Sequence, residues 1–472
     1  MADSDESDTL LGDLHPYAST LPVHTALPEK GRPREEVLAQ LEAMAREEQK
    51  RWERGQVSGT YYHGGLDHYA FLNRAFALYS HANLLQRDLC PSGTKLEGEV
   101  IAMTARLLHG EVPATLKPED QVCGSITSGG TESIFSAMLV CREYGRKERG
   151  IAVPEVLAPA TIHPAFQKAA HYLGMTLTLV PVKDFLADVE AMRARVGPST
   201  VAVAGSAGNY PWGLVDPLPA LSALAVEKGL LMHVDGCLGG FLLPFVERLG
   251  YPVPVFDFRL PGVTSMSCDT HKYGYALKGT SVVLYRRPAL RRLQYFSAAG
   301  WQGGVYASPT LQGSRSEGLA AATWASLVAT GEDGYLEAAR AIMAAADTLR
   351  AGVASIPALR ILGQGTTFLV AIASAEEGLD VFHVNDFLAG KGWRLNGCQD
   401  PPAVHFCVTL PQTRPGVMAR LVEDLRAGVE YARGKAGEPP RSGAMYGLAG
   451  TPDGKAMLEE AMVGWLDATY EP

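Results

Sequence analysis

From about residue 90 to 330 the chain repeats one alternation, a short apolar run followed by a stretch whose apolar positions recur with helical spacing. The runs "EVLAP", "TLTLVPV", "TVAVAGSA", "LLMHVDG", "TSMSCD" and "SVVLYR" predict successive strands of a mostly parallel sheet. Strand and helix in turn specify a doubly wound α/β domain. A long helical pattern, "WASLVATGEDGYLEAARAIMAAADTLRAGV", then leads to "RILGQGTTFLVAIAS", "WRLNG" and "AVHFCVTL", which alternate with "VNDFLAGKG" and "GVMARLVEDLRAGVEYA". This second pattern predicts a smaller α+β domain.

At the other end, "PREEVLAQLEAMAREEQKRWERG" sets Val37, Leu38, Leu41, Met44 and Trp52 at helical spacing, behind a polar, Pro-containing arm of about 30 residues. The expected organisation is an N-terminal arm and helix over 1–60, a large domain over 61–330 and a small C-terminal domain over 331–472. "RGKAGEPPRSGAMYGLAGTPDG" reads as a loop before one last helix.

Composition narrows the function classes. The 472 residues exceed the roughly 250–300 at which a single core stops growing. Hydrophobic residues at 47% and charged residues at 20% are ordinary for a globular enzyme. A net charge of −9 supplies no field for a phosphate backbone, so nucleic acid is not an expected partner. Seven cysteines without a C-x-x-C pair argue against both a disulfide framework and a metal site, and favour a reducing compartment. The acidic N-terminus lacks the charge and apolar core of a signal peptide, and no run approaches the ~20 apolar residues of a membrane span. A cytoplasmic protein without a transmembrane anchor is expected.

Four features fall where open α/β sheets place ligands, at strand-to-helix junctions. "TSGGTES" puts Ser128, Gly129, Gly130 and Thr131 at a helix start, where backbone N–H groups favour an anion, although a Gly-rich cap of a buried helix gives the same letters. Asp235 ends the apolar run "LLMHVD" and needs a partner, either the following turn or a protonated ring nitrogen. Lys272 follows "SCDTH"; an enclosed lysine loses its proton more easily and can form a Schiff base, whereas most loop lysines are solvated or ion-paired. His163, after another strand, suits a structural hydrogen bond or stacking on a planar ligand. An anion cradle, a flat ring, an acid and a lysine together specify a phosphorylated, planar, nitrogen-containing aldehyde, which is pyridoxal 5′-phosphate.

"VSGTYYHGG", "TSGGTESI", "HVDGCLGGF", "DTHKYGYALKGTSVVLYR" and "GAMYGLAGTPDG" resemble, in order, the motifs of the sphingosine-1-phosphate lyase family, in the group II decarboxylase branch of fold-type I pyridoxal-phosphate enzymes. The resemblance implies cleavage of the Cα–Cβ bond of a phosphorylated long-chain base to a fatty aldehyde and phosphoethanolamine. It also implies a homodimer with shared active sites. It assigns Gly130, Thr131, His163, Asp235, His271 and Lys272 to the cofactor, and Lys272, Tyr210, Tyr62 and His163 to catalysis. Tyr62, Asn83, Gln86 and Lys278 go to an amphiphilic substrate, with Lys278 as a cation for substrate phosphate and for lowering a tyrosine's pKa. Two positions depart from the family pattern: Gln86 stands where a histidine is usual, with Arg87 as a compensating cation, and Gly236 stands where an alanine is usual. The lost histidine keeps an amino-acid decarboxylase open as the alternative.

Overall fold

In a computed structural model the described residues are 14–110, 121–363, 365, 367–442 and 452–470. They form two compact units. The larger contains Tyr61–Ala346 and Gly363–Leu369; the smaller gathers the described residues up to Thr60 with Asp347–Leu362 and the chain from Val370 onward.

The larger unit is built on a seven-stranded sheet. Its strands are β1 (Cys123–Thr127), β2 (Glu155–Pro159), β3 (Thr176–Val180), β6 (Thr200–Ser206), β7 (Leu231–Asp235), β8 (Ser265–Cys268) and β9 (Ser281–Tyr285), with the short hairpin β4 (Val182–Lys183) and β5 (Leu186–Ala187) after β3. The order is β1-β9-β8-β7-β6-β2-β3. All six predicted strands form. β2 pairs in parallel with β3 and β6, β6 with β7, and β7 with β8, while β9 runs antiparallel to both β8 and β1.

Every residue of β6, β7, β8 and β9 is buried, as continuous apolar runs covered on both faces require. Each fully buried Val or Leu contributes about 1.5–3 kcal/mol, so these strands hold the frame on which the loops sit. The helix Gly130–Arg149 buries Ile134, Ala137, Met138 and Cys141 in the same core, the face its spacing predicts. β1 is the strand the sequence reading misses. Its residues "CGSIT" open on Cys, Gly and Ser, too small to form an apolar run, and pairing with β9, far along the chain, makes them a strand. Gly124 is required there, because a Cβ would lie 2.3 Å from the Val283 carbonyl oxygen of β9. A hairpin of β10 (Phe296–Trp301) and β11 (Gly304–Ser308) follows, with Phe296, Trp301 and Val305 exposed.

The predicted long helix spans Glu317–Ala354, and Gly331, at φ +62°, interrupts it. In the smaller unit β12 (Leu359–Ile361), β13 (Leu369–Ser374), β14 (Asn396–Cys398) and β15 (Ala403–Cys407) form a sheet in the order β12-β13-β15-β14. Asp380 caps the helix Val381–Gly390 through the Phe382 N–H at 2.8 Å, and the helix Val417–Arg433 packs beside it. The helix Arg34–Glu53 buries Trp52 but leaves Val37, Leu38 and Leu41 exposed. The last helix covers Pro452–Ala468, while residues 443–451 of the "GAMYGLAGTPDG" motif lie outside the described residues. All seven cysteines are free thiols. Among the described residues no helix is long and apolar enough to cross a membrane.

Candidate active site

Strand direction gathers the site. β1 runs antiparallel to β9 and β9 antiparallel to β8, so β1 ends at the same edge as the parallel strands. Five predicted residues follow from that edge. Gly130 comes three residues after β1, His163 four residues after β2, Tyr210 four after β6 and Lys272 four after β8, while Asp235 closes β7. Register brings their bases side by side, with Ser206 opposite Asp235 and Asp235 opposite Ser267.

Gly130 opens its helix against two of the other loops. A Cβ there would lie 2.8 Å from Asp269 Oδ2, 2.8 Å from Cys237 Sγ and 2.9 Å from Asp269 Oδ1. The helix start, the loop after β7 and the lysine loop therefore meet in backbone-to-side-chain contact that only glycine permits. The N–H groups of Gly130 and Thr131 have no carbonyl four residues back within the helix, so they remain donors for an anion. Ser128 is different: its N–H donates to Glu132 Oε2 at 2.7 Å. Three hydroxyls stitch the cradle to the sheet, with Thr127 Oγ1 2.6 Å from Ser133 Oγ and Ser133 Oγ 2.8 Å from Ser281 Oγ.

The two lysines differ in kind. Lys272 Nζ lies 2.9 Å from Asp269 Oδ2. Burial pulls the Lys272 ammonium down, but the Asp269 carboxylate, with Cys237 and Asp235 adding to it, holds it above the ordinary lysine range. The expectation that enclosure lowers its pKa is thus corrected, because the sequence does not reveal that Asp269, three residues earlier, is turned onto it. Lys278 is the lysine pushed down, to about 8, by burial and by the charge of Lys272 against the opposing pull of Asp269. Its Nζ lies 3.4 Å from the His271 carbonyl oxygen and 5.0 Å from the centroid of the Tyr62 ring. Tyr62 is buried and meets Tyr273 edge-on at 5.0 Å, so the tyrosine that Lys278 covers is Tyr62. His271 is pushed down to about 4, chiefly by burial, and its Nδ1 accepts the Thr280 N–H at 3.3 Å. It is a neutral ring near neutral pH.

Asp235 rests on a hydrogen-bond chain whose other members the sequence reading leaves unassigned. Its Oδ1 accepts the Cys237 N–H at 3.0 Å and the Ser267 hydroxyl at 3.2 Å. His233 spans Ser265 Oγ at 2.9 Å from Nδ1 and Ser267 Oγ at 3.3 Å from Nε2. Burial pushes His233 down to about 4, against the Asp235 charge, so the ring is neutral and the donors are ordered. Ser267 spends its proton on Asp235, Nε2–H donates to Ser267, and Ser265 donates to Nδ1. The signal was present in the sequence as a period of two: His233 and Asp235 on β7 face Ser265 and Ser267 on β8.

His163 and Tyr210 are exposed neighbours, their rings perpendicular with centroids 6.5 Å apart. His163 Nδ1 accepts the Ala165 N–H at 3.1 Å, which leaves Nε2 to carry the proton of the neutral ring. Asn83 and Gln86 occupy a different neighbourhood. Asn83 Oδ1 accepts the N–H groups of Leu85 and Arg315, both at 3.0 Å, and its amide donates to Ser314 Oγ at 3.0 Å. Gln86 is exposed. Arg87 is committed to Glu97 and Thr94, and Glu97 also pairs with Arg315 at 2.7 Å, so Arg87 is a structural cation. At Gly236 a Cβ would lie 2.9 Å from the Ser267 carbonyl oxygen, closer than this backbone admits alanine without a shift.

The residues fit pyridoxal 5′-phosphate. Buried polar atoms without hydrogen-bond partners among the described residues include Thr161 Oγ1 and Asp269 Oδ1, on the loops after β2 and β8 that leave the same strand edge, and Glu132 Oε1, in the first turn of the helix that Gly130 opens. Residues 16–372 match the pyridoxal-dependent decarboxylase conserved domain. The Dictyostelium discoideum sphingosine-1-phosphate lyase is 41% identical over 95% of this chain and 83% of its own length, and the Arabidopsis thaliana enzyme is 42% identical over 88% and 76%. This chain belongs to the sphingosine-1-phosphate lyase family. The solved structure of the Burkholderia pseudomallei sphingosine-1-phosphate lyase superposes with a TM-score of 0.86 at 52% identity, covering 89% of this chain and 96% of that one. Lactobacillus brevis glutamate decarboxylase, at 19% identity and a TM-score of 0.74, shares the fold. The lyase family and the wider decarboxylase fold together fix a fold-type I architecture and pyridoxal 5′-phosphate as the cofactor.

Proposed function

We infer that this chain is a pyridoxal-phosphate-dependent aldehyde-lyase that splits a phosphorylated long-chain base such as sphingosine 1-phosphate into a fatty aldehyde and phosphoethanolamine. The carrying observation is the pair of lysines of unlike character on one loop, Lys272 ion-paired to Asp269 and Lys278, its pKa lowered to about 8, lying over Tyr62. The family likeness along most of the chain points the same way. The amino-acid decarboxylase alternative, raised by Gln86 in place of a histidine, is not favoured: glutamate decarboxylase shares the fold at only 19% identity, against 41% for the Dictyostelium discoideum lyase.

In this reading Gly130 and Thr131 hold the cofactor's phosphate, with His271 beside it; His163 covers the ring, Asp235 meets the pyridine nitrogen, and Lys272 takes the aldehyde. The bound cofactor withdraws electrons from the carbon bearing the substrate nitrogen, so that a bond to that carbon can break. Asp235, kept an acceptor by the Ser267 hydroxyl, keeps a proton on the ring nitrogen. Tyr210, in its deprotonated form, takes the proton of the substrate's β-hydroxyl and hands it to the carbon freed by the cleavage, while the His163 Nε2–H donates a hydrogen bond to the oxygens at that position. Lys278 serves as a point charge for substrate phosphate and, with Tyr62, lines the approach. Asn83 and Gln86 are substrate contacts in a homodimer with shared active sites; the exposed Val37, Leu38 and Leu41 support an association surface. A cytoplasmic location accompanies this reading and is supported by the free thiols.

Incubating the purified, cofactor-loaded protein with sphingosine 1-phosphate is expected to release long-chain aldehyde, and the Lys272→Ala variant none. Carbon dioxide from glutamate or tryptophan, with no aldehyde at high protein concentration, would overturn the assignment.

A further inference from the structure

Asp269 carries no role in the reaction outlined above, yet it is the closest partner of the lysine that bonds the cofactor. The carboxylate is 2% exposed, its Oδ2 lies 2.9 Å from Lys272 Nζ, and its Oδ1 has no partner among the described residues. A lysine can attack an aldehyde only as the neutral amine, so its ammonium must first give up a proton. The atom in hydrogen-bond reach of that proton is Asp269 Oδ2. We propose that Asp269 is the acid–base group for making and breaking the bond between Lys272 and the cofactor aldehyde, an inference that rests on the cofactor assignment above.

The step balances within the loop. One N–H bond of the Lys272 ammonium breaks and the proton passes to Asp269 Oδ2. The freed nitrogen lone pair forms the bond to the aldehyde carbon, whose oxygen becomes a hydroxyl with a second proton from nitrogen. The proton held by Asp269 returns to that hydroxyl, which departs as water, leaving a protonated carbon–nitrogen double bond and Asp269 again a carboxylate. No outside oxidant or reductant is needed, and the aldehyde of pyridoxal 5′-phosphate is the co-reactant.

The surroundings suit a proton moving both ways. His271 Nε2 lies 3.6 Å from Asp269 Oδ2 on the same loop, Lys278 and Asp235 act on the pair by charge, and Cys237 Sγ and the start of the Gly130 helix close it from the other side. Burial is the largest influence on both partners; it draws Lys272 down and Asp269 up, toward the uncharged pair, while their mutual attraction holds them ionised. In the neutral carbinolamine the nitrogen carries no charge, so that attraction is lost and burial favours the proton on Asp269 until the departing hydroxyl takes it.

The test follows growth of the visible absorption band on mixing cofactor-free protein with pyridoxal 5′-phosphate across pH 6 to 9. Borohydride trapping and mass analysis locate the adduct. Wild type is expected to load at a rate nearly independent of pH. Asp269→Asn is expected to load about 10²–10⁴-fold more slowly at pH 7, the usual span of general acid–base catalysis, and about tenfold faster for each pH unit above it. Added formate is expected to restore loading in Asp269→Ala, a rescue that a merely structural carboxylate would not give. If Asp269 only clamps the ammonium, Asp269→Asn loads as fast as wild type or faster, and the proposal falls. If wild type itself gives neither band nor adduct at Lys272, the cofactor assignment fails instead.

Discussion

Gly130→Ala tests the proposed cofactor cradle at the start of its helix. Gly130 is the first residue of a 20-residue helix, so the change leaves the helix interior and its hydrogen-bond ladder untouched. The added methyl would nevertheless sit 2.8 Å from Asp269 Oδ2 and 2.8 Å from Cys237 Sγ. Cys237 is buried, and Asp269 can withdraw only by leaving Lys272, its partner at 2.9 Å. Overpacking of this kind costs about 1–3 kcal/mol, and the displaced atoms are the ones around the anion site. Cofactor affinity is therefore expected to fall about five- to 150-fold. Titrating the cofactor-free variant with pyridoxal 5′-phosphate by absorbance gives the affinity, and thermal unfolding of the same sample gives the stability. Unfolding should register the same strain as a loss of about 1–3 kcal/mol. A cofactor Kd within about twofold of wild type would refute the cradle.

Lys278 is pushed down to about 8, so it loses its charge as pH rises through that value. Its side chain reaches solvent, which tempers the shift, and KM for a phosphorylated substrate is expected to rise above about pH 8 and to stay flat in Lys278→Arg; a flat wild-type profile from pH 7 to 9 would exclude the phosphate role. His233 is held at about 4 in the fold against an ordinary value near 6.5, so the unfolded chain takes up the proton first on acidification. Stability is then lost as pH falls from about 6.5 toward 4, by about 2 kcal/mol between pH 7 and 5, and urea melts should show that part of the slope missing from His233→Gln. Arg315→Ala leaves the buried Glu97 with Arg87 alone and should cost about 3–5 kcal/mol in denaturant unfolding; a loss below about 1 kcal/mol would show that Arg87 suffices.

Much of this was legible in the letters, for identifiable reasons. The strands β2, β3 and β6 to β9 announce themselves because a sheet covered on both faces needs uninterrupted apolar runs. Asp235 and Lys272 stood out because a charge at the end of such a run demands a partner. What the letters withheld depends on which distant residue a side chain meets. β1 is a strand only through β9. The Lys272–Asp269 pair depends on the turn of a loop, and the anchoring of Asn83 depends on the segment at residues 314–316. Arg87 looked available for a ligand in one dimension and is tied to Glu97 in three.

The pairing of Thr127 with Ser281 joins positions about 150 residues apart, and it is the seam along which the glycine cradle meets the lysine loop. On a ribosome, the first half of the proposed cofactor pocket therefore waits until β9, about three quarters of the way through the large unit, has been synthesised. Contacts of such long sequence separation form slowly, after local ones. Pyridoxal 5′-phosphate thus has no complete pocket on a nascent chain and cannot act as its template. It stabilises only the finished sheet, by an amount set by its concentration relative to Kd. Scarcity of the cofactor would lower the stability of the folded protein without altering the order in which the sheet assembles.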